Sequence, residues 1–380
     1  MTVSRRAPLA LLSAGIFLAV STEMLPVGLL PEIGRGLGVS PSATGVLVSL
    51  YAVLVAVTTV PIAAFVGRWP RRTVLAVLLG AYLVSNLLFA AAPGYAVAVV
   101  ARTIGGLAHA GFFAVAVAAG VSLVEPARAG RAVAVMGFGN GLALVFGVPL
   151  GTLLGTAVGW RWSFVILAVL LAVLAVAVLR VLPAEAPARE SGRTSVLTGI
   201  RRPAVLVMAF VTTLLALGHF TLYTYISPLL LHDGVSDVHV GAALFAYGCG
   251  GLLGLAAASA LVVRRPGQAL AVDIVLMGLS LALAATVSST AGIVVVVVVW
   301  GVAFGAFPTL TQTMTLRAAG DATDAATALV NATTNVGIAG GALLGSQLLG
   351  VVEVPALGWV GAALVAGSLV VYATRLRRTA

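Results

Sequence analysis

Residues 18–40, LAVSTEMLPVGLLPEIGRGLGVS, set the fold class of this chain. The stretch from Leu18 to Leu30 is almost wholly apolar, but Glu23 lies inside it. Apolar segments of about 20 residues are long enough to cross a bilayer, and they recur along nearly the whole sequence. An acid in such a segment costs about 2.5–3.5 kcal/mol on insertion scales and normally faces a cavity or a partner. The stretch therefore predicts a transmembrane helix that carries a functional carboxyl group.

The composition excludes an ordinary soluble domain. Of the 380 residues, 61% are hydrophobic and 8% are charged, whereas a soluble domain has about 25% charged residues. A lipid-facing β-barrel is excluded because segments of about ten residues with alternating hydrophobicity are absent. The basic residues are all arginines, most of them in short loops, which does not indicate a nucleic-acid surface. Cys249 is the lone cysteine and is expected to serve packing, so we expect no disulfide, no metal and no other cofactor.

The apolar segments predict an all-α membrane protein with twelve transmembrane helices. Arg5 and Arg6 precede an apolar core, as in a signal peptide, but the apolar run continues to Leu30 and favours an uncleaved first helix. The predicted helices are Pro8–Leu30, Thr44–Val66, Thr73–Ala92, Tyr95–Val121, Ala132–Val158, Trp162–Val181, Ala204–Leu230, His239–Val263, Ala269–Ser289, Ile293–Leu316, Ala325–Gly350 and Pro355–Thr374.

The sequence contains an internal repeat. GVSPSATGVLVSLY at residues 38–51 resembles GVSDVHVGAALFAY at residues 234–247, at an offset of 196. The repeat predicts two six-helix bundles, residues 1–182 and 204–380, joined by a polar cytoplasmic linker at residues 183–203. Two parallel halves related by an axis along the membrane normal are an architecture of secondary transporters.

The arginines predict the orientation of the bundle. If the N-terminus is cytoplasmic, only Arg35 and Arg161 fall on the opposite side, and Arg102 lies within a helix. The other eighteen arginines fall on the cytoplasmic side or at its boundary, so the positive-inside rule places both termini in the cytoplasm. Arginine without lysine, together with abundant alanine, valine and glycine, indicates a GC-rich bacterium. We therefore expect a multi-pass protein of a bacterial cytoplasmic (inner) membrane.

Four stretches carry motifs of a known family. They are STEMLPVGLLPEIGRGLGVS (21–40), GRWPRR (67–72), ARTIGGLAHAGFF (101–113) and GLALVFGVPLGTLLG (141–155). In this order they resemble the helix 1 region, a degenerate copy of the loop between helices 2 and 3, helix 4, and the helix 5 antiporter motif of the major facilitator superfamily. More narrowly, the chain resembles the drug:proton antiporters that include arabinose-efflux-type permeases. The resemblance covers essentially the whole chain and implies a twelve-helix major facilitator fold.

Two glycine faces stand out in these helices. Gly147, Gly151 and Gly155 fall four residues apart, and Pro149 between them bends the helix. Such a face allows close packing against another helix. The resemblance implies an interdomain seam on which the two halves rock, and tight packing alone is the alternative. Helix 11 repeats this spacing with Gly337, Gly341 and Gly345.

The loop between helices 2 and 3 departs from the family pattern. The family has an acid at the position of Gly67 and a glycine at the position of Pro70, so the usual charge network of this loop is incomplete here. Glu125, at the cytoplasmic end of helix 4, is a candidate replacement partner. The basic residues of the motif, which anchor the topology or pin the cytoplasmic side of the bundle, are Arg68, Arg71 and Arg72.

Glu23 and Arg102 are expected at the same depth. Each lies about 10 Å from the outer end of its helix at 1.5 Å per residue, so the two pair or share one cavity. His109 lies two turns below Arg102 on the same face. At the offset of 196, His219 takes the place of Glu23, and Tyr223 follows one turn later. We predict proton coupling by Glu23, Arg102 and His219 and a substrate cavity with His109 and Tyr223; purely structural roles are the alternative.

Polar residues elsewhere complete the candidate set. Asp273 is expected to have a structural role near the cytoplasmic boundary, with Arg264 or Arg265 as its partner. The loop at residues 232–239, HDGVSDVH, is expected to be solvated, with Ser236 capping the next helix in preference to a metal site. The further substrate-cavity candidates are Asn140, Asn331, Asn335 and Gln312.

These features favour a transporter over a membrane-embedded enzyme or receptor. The sequence has no paired acids or nucleophile–base pair at usable spacing, no GxxxxGK[ST] nucleotide motif and no long loop for a sensing domain. With so few charged groups, a neutral or cationic amphiphile is favoured over a strongly charged substrate, and a sugar-like solute is the alternative. We expect proton-coupled efflux of a small drug-like or sugar-like molecule by a monomer in the lipid bilayer, and proton-coupled uptake is the alternative.

Overall fold

A computed structural model shows a chain made largely of α-helices. It describes residues 6–67, 69–125, 128–183, 202–262, 265–320 and 322–375. The helices are α1 Arg6–Gly28, α2 Leu30–Leu37, α3 Pro41–Val66, α4 Arg71–Ala90, α5 Tyr95–Ser122, α6 Ala129–Leu142, α7 Val148–Val158, α8 Trp160–Val181, α9 Pro203–Tyr223, α10 Ile226–His232, α11 Asp237–Leu261, α12 Pro266–Ala284, α13 Thr290–Ala319, α14 Thr323–Leu348 and α15 Ala356–Arg375.

The chain forms two compact units. The first unit comprises Met1–Val39 and Leu54–Ser191, and the second comprises Ser40–Val53 and Gly192–Ala380. The beginning of α3 therefore groups with the second unit, where Ser42 Oγ donates a hydrogen bond to a main-chain oxygen of α14 at 2.6 Å. The domain boundaries expected from the sequence stay a prediction.

The helices have the length and composition of membrane spans. Within the described residues, eleven spans are long and apolar enough to cross a bilayer, and α6 and α7 together make one of them. The 26-residue α14 is of similar length but more polar, and it lies where the eleventh helix is predicted. The predicted all-α architecture is confirmed.

The internal repeat reappears in the backbone. The short helices α2 and α10 begin at Leu30 and Ile226, at the offset of 196, and each carries a proline in its first turn, where a missing N–H is tolerated. Each is followed by a glycine in the left-handed region, Gly38 with φ 67° and Gly234 with φ 85°. The predicted continuous helices up to Leu30 and Leu230 are therefore wrong near their ends, because each breaks into a long and a short helix.

The fifth predicted helix, which Pro149 was expected to bend, contains an irregular turn directly before this proline. Ala143–Gly147 forms a π-helical turn between α6 and α7. Pro149, in the first turn of α7, has no N–H and its ring would clash with the carbonyl four residues earlier. A single π turn next to the proline widens the helix and relieves this conflict.

Candidate functional site

Arg102 replaces a hydrogen-bond donor that α1 lacks. Pro26 lies inside α1 and has no backbone N–H, so the carbonyl of Thr22, four residues earlier, loses its helical donor. Arg102 of α5 is 2% exposed and donates from Nη1 to the Thr22 main-chain oxygen at 2.9 Å. Its Nη2 donates to the main-chain oxygen of Glu23 at 3.1 Å. The structure thus brings Arg102 and Glu23 together, and the hydrogen bonds of Arg102 go to main-chain oxygens of α1.

The carboxylate of Glu23 meets His109. Glu23 Oε2 lies 3.6 Å from His109 Nε2, and the two side chains are only 12% and 9% exposed. The His109 ring stacks on Phe113 with 6.1 Å between centroids and packs edgewise on Tyr82. The sequence placed His109 below Arg102, but its pairing with Glu23 was not predicted.

Asn86 is a member of this site that the sequence analysis missed. Its Nδ2 donates to Thr22 Oγ1 at 3.2 Å and to the Tyr82 main-chain oxygen at 2.8 Å, and Asn86 is buried. A usable signal was present, because an amide inside an otherwise apolar helix is costly to bury without partners. We name the following residues the polar cluster: Thr22, Glu23, Asn86, Arg102 and His109.

His219 lies among aromatic side chains of the second unit. Its ring stacks on Phe304 with 4.0 Å between centroids and on Tyr223 with 4.9 Å. Trp300 packs edgewise against His219 and donates from Nε1 to His219 Nδ1 at 3.0 Å. We name the following residues the aromatic cluster: His219, Phe220, Tyr223, Tyr247, Trp300, Phe304 and Phe307.

The bond from Trp300 defines the state of the His219 ring. A ring nitrogen that accepts a hydrogen bond carries no proton, so a neutral His219 has its proton on Nε2. In the described part of the chain, this Nε2 and the hydroxyl of Tyr247 have no hydrogen-bond partner. The predicted role of His219 in coupling stays a prediction.

The remaining substrate-cavity candidates belong to neither the polar cluster nor the aromatic cluster. Gln312 Nε2 donates to Thr327 Oγ1 at 3.0 Å and so links α13 to α14. Asn335 Nδ2 donates to the main-chain oxygen of Asn331 at 3.0 Å within α14, and Asn140 is half-buried on α6. Substrate contact by these four residues stays a prediction.

The two predicted glycine faces pack against helices of their own unit. A Cβ added at Gly147 or Gly151 would meet side chains of α1, for example Leu25 Cδ1 at 2.7 Å from Gly151. A Cβ added at Gly155 would meet Leu29, directly after α1, and Ser163 of α8. The face on α14 packs on α9 in the same way, and Gly337 would meet the Thr213 main-chain oxygen at 2.6 Å. Close packing within each unit therefore explains these faces, and a seam between domains stays a prediction. The other glycines of the α14 face, which also approach the backbone of α9, are Gly341 and Gly345.

A third glycine contact was missed from the sequence. A Cβ on Gly254 of α11 would collide with the Val302 main-chain oxygen of α13, and a Cβ on Gly305 of α13 would collide with the Gly251 main-chain oxygen of α11. The two helices therefore approach backbone to backbone, as paired small-residue motifs allow in membranes. The spacing of glycines four apart in both helices was the available signal.

The cytoplasmic loop motif is only partly described. Arg68 lies outside the described residues, while Arg71 and Arg72 begin α4 and line a small pocket with the end of α5. The structure shows Glu125 in an exposed ion pair with Arg128 at 3.9 Å. The expected pairing of Glu125 with the loop arginines stays a prediction.

The loop before α11 differs from its expected role. Ser236 stands at the N-cap position, but its side chain caps no N–H and is hydrogen-bonded instead to His239 Nδ1 at 2.7 Å. His232 Nδ1 lies 3.0 Å from Asp233 Oδ1. No group of three or more metal-ligating side chains occurs among the described residues.

Asp273 differs from its expected surroundings. Only 5% of the residue is exposed, and Arg265, one of its two expected partners, donates to Gln268 at 3.4 Å. Arg264, the other expected partner, lies outside the described residues. The packed face of α12 carries Asp273 into the interior of the second unit, and its expected place near the membrane boundary stays a prediction.

The sequence of this chain is similar to sequences of known transporters. A profile of the Major Facilitator Superfamily matches residues 12–342. The chain belongs to the major facilitator superfamily. A relative in Mannheimia succiniciproducens, named "Probable sugar efflux transporter", is 32% identical over 357 residues, which make up 93% of this chain and 90% of the relative.

Solved structures of other transporters share the fold. A bacterial homolog of the human lysosomal transporter Spinster, in an inward-facing and unoccupied conformation, aligns with a TM-score of 0.72 and 14% identity, over 98% of this chain and 95% of that chain. The human organic anion transporter MFSD10 (TETRAN) aligns with a TM-score of 0.69 and 16% identity, over 98% of this chain and 100% of that chain. The predicted major facilitator fold is confirmed, and this superfamily member is a multi-pass membrane transporter.

Proposed function

We propose that this superfamily member exports a small sugar-like or drug-like molecule in exchange for protons. The observation that carries the proposal is the Glu23–His109 pair, buried in a membrane helix bundle beside Arg102. Intramembrane ionisable groups of this kind mark ion pathways and proton relays. In this proposal the protein works as a monomer by alternating access. It lies in a bacterial inner membrane with both termini in the cytoplasm.

The polar cluster has the parts of a proton carrier. Glu23 binds a proton as a neutral carboxylic acid and releases it as a carboxylate. His109 Nε2, 3.6 Å away, accepts that proton and leaves a carboxylate–imidazolium pair. Arg102 is held on the main chain of α1, so it keeps a positive charge close to the exchange without itself giving up a proton.

The energy of one proton is sufficient for useful export. A proton that enters down about 100 mV releases about 2.3 kcal/mol. At about 1.4 kcal/mol per factor of ten, this supports roughly a 40-fold gradient of a neutral substrate. A pH gradient adds to this value.

The aromatic cluster is the proposed substrate contact in the second unit. Ligand sites are lined mostly by apolar and aromatic side chains with a few well-placed polar groups. Here the fully buried polar atoms that have no hydrogen-bond partner in the described chain include His219 Nε2 and the Tyr247 hydroxyl. Both suit the hydroxyl groups of a neutral ring better than a charged group. The name of the Mannheimia succiniciproducens relative supports a sugar-like substrate.

Transport in proteoliposomes tests this function. Labelled L-arabinose and phenyl β-D-glucoside serve as probes, with and without an imposed pH gradient. Wild-type protein is expected to move a probe uphill against the proton flow, and Glu23→Gln is expected to keep exchange but lose uphill transport. Glu32→Gln is the matched control, because Glu32 is an acid of α2 paired with Arg35 at 3.1 Å.

Each other outcome of this experiment has a defined meaning. Uphill transport at the wild-type rate in Glu23→Gln would remove Glu23 from the coupling step. Movement of substrate in the same direction as protons would replace export by uptake. Facilitated transport that ignores the pH gradient in the wild type would refute proton coupling.

A further inference from the structure

Asp273 is a carboxyl group inside the second unit that has no partner in the described chain. It lies seven residues after Pro266, the first residue of α12, and therefore about 10 Å along that helix. Only 5% of the residue is exposed, and its Oδ2 accepts no hydrogen bond from any described group. The other side chains on the buried face of α12 include Leu270, Ile274, Met277 and Leu281.

The main helices packed against α12 bring no positive charge to Asp273. These helices are α13 and α15, and their described charged residues, Arg317 and Arg375, are exposed. The buried Tyr372 of α15 donates its hydroxyl to the main-chain oxygen of Gly267 at 2.9 Å. Both arginines thus lie at the surface of the unit, away from a side chain that is 5% exposed.

The lesser contacts of α12, with α9 and α11, do not change this conclusion. The histidine and tyrosines of these helices belong to the aromatic cluster, and the acid and histidine at the start of α11 are exposed. The titratable residues of the two helices are His219, Tyr223, Asp237, His239, Tyr247 and Cys249.

We propose that Asp273 is a second proton-binding site, placed in the second unit and separate from the Glu23–His109 pair. An unpaired carboxylate in an apolar interior is far more costly than the neutral acid, because the charged form loses its hydration and gains no partner. Binding one proton converts the carboxylate into a carboxylic acid, and no other bond is made or broken. The neutral acid can stay buried in the bundle without a counter-charge. A buried carboxylate would instead need a positively charged partner, which the described residues do not supply.

A hydrophobic carbodiimide tests this site directly. N,N′-dicyclohexylcarbodiimide modifies protonated carboxyl groups in apolar surroundings. The full-length Glu23→Gln protein is used, so that Glu23 does not compete for the reagent, and peptides are analysed by mass spectrometry. We expect modification at Asp273 that declines as the buffer is made alkaline, and none at the exposed Asp237. No modification of Asp273 at any pH, or equal modification at every pH, would overturn the proposal.

Thermal unfolding in detergent provides a second measurement. Ionisation of the buried acid at high pH destabilises the folded state, so the wild-type melting temperature is expected to fall in alkaline buffer. Asp273→Asn cannot ionise and is expected to show a smaller fall. Equal falls in the two proteins would overturn the proposal. Neither measurement uses transport. The proposal for Asp273 and the proposed coupling by Glu23 are therefore tested independently.

Discussion

Arg102 Nη1 donates to the main-chain oxygen of Thr22 at 2.9 Å, across 80 positions of the chain. The bond exists because Pro26 deprives that oxygen of its helical donor. A buried carbonyl without a donor is costly, and a guanidinium supplies several donors from a single side chain. Pro26 of α1 and Arg102 of α5 therefore belong to one arrangement, in which Arg102 also bonds the main chain of Glu23.

The first prediction concerns this arrangement. Arg102→Ala is expected to lower the free energy of unfolding by about 1–3 kcal/mol, because it leaves buried acceptors unpaired. Pro26→Ala restores an N–H to the helix, so the loss caused by Arg102→Ala is expected to be smaller in the Pro26→Ala background. Thermal unfolding of the four proteins in a double-mutant cycle measures the difference. Strictly additive losses would show that Arg102 does not compensate for the proline.

The second prediction concerns His109. If His109 receives the proton from Glu23, His109→Gln is expected to slow gradient-driven export while substrate exchange continues. The measurement is export from proteoliposomes with and without a pH gradient. His239→Gln is the control, because His239 is an exposed histidine at the start of α11. Export by His109→Gln at the wild-type rate would mean that Glu23 operates without this partner.

The third prediction concerns the aromatic cluster. Tyr247→Phe removes only a hydroxyl that has no partner within the described residues, so the fold is expected to tolerate it. If that hydroxyl binds substrate, the affinity for substrate is expected to fall about two- to tenfold. This fall corresponds to the loss of one hydrogen bond worth about 0.5–1.5 kcal/mol. Tyr225→Phe removes a hydroxyl that donates to Ala342 at 3.3 Å and is the matched control.

Equilibrium binding of phenyl β-D-glucoside to the purified proteins measures this loss of affinity. Equal affinities of wild-type protein and Tyr247→Phe would exclude the Tyr247 hydroxyl from the substrate site.

The fourth prediction compares two glycines. Gly254→Ala is expected to destabilise the protein by about 1–3 kcal/mol, because the new methyl group collides with a main-chain oxygen that cannot rotate away. Gly80→Ala, on α4, meets no atom within 4 Å and is expected to gain up to about 1 kcal/mol from helix propensity. Melting temperatures of both variants in detergent measure the contrast. A stable Gly254→Ala protein would mean that α11 and α13 can separate at no cost.

The sequence by itself determined the membrane fold and its repeat. Segment length and apolar composition are local properties, and they predicted the membrane helices, eleven of which occur as candidate spans within the described residues. The offset of 196 predicted that Gly38 and Gly234 occupy equivalent places, and both have positive φ. The depth shared by Glu23 and Arg102 followed from the helical rise alone. The breaks within the first and seventh predicted helices were missed, because a continuous apolar pattern does not show where the backbone turns.

Only the tertiary structure decided which groups meet. Arg102 reaches the main chain of α1, Glu23 meets His109, and Trp300 donates to His219. The partners in each of these contacts come from different helices, so no local pattern specifies them. Asp273 illustrates the same limit, since its position in the chain did not show that packing of α12 on α13 and α15 buries it. The physical reason is that composition fixes whether a helix enters the membrane, but the shapes of neighbouring helices fix which of its faces is buried.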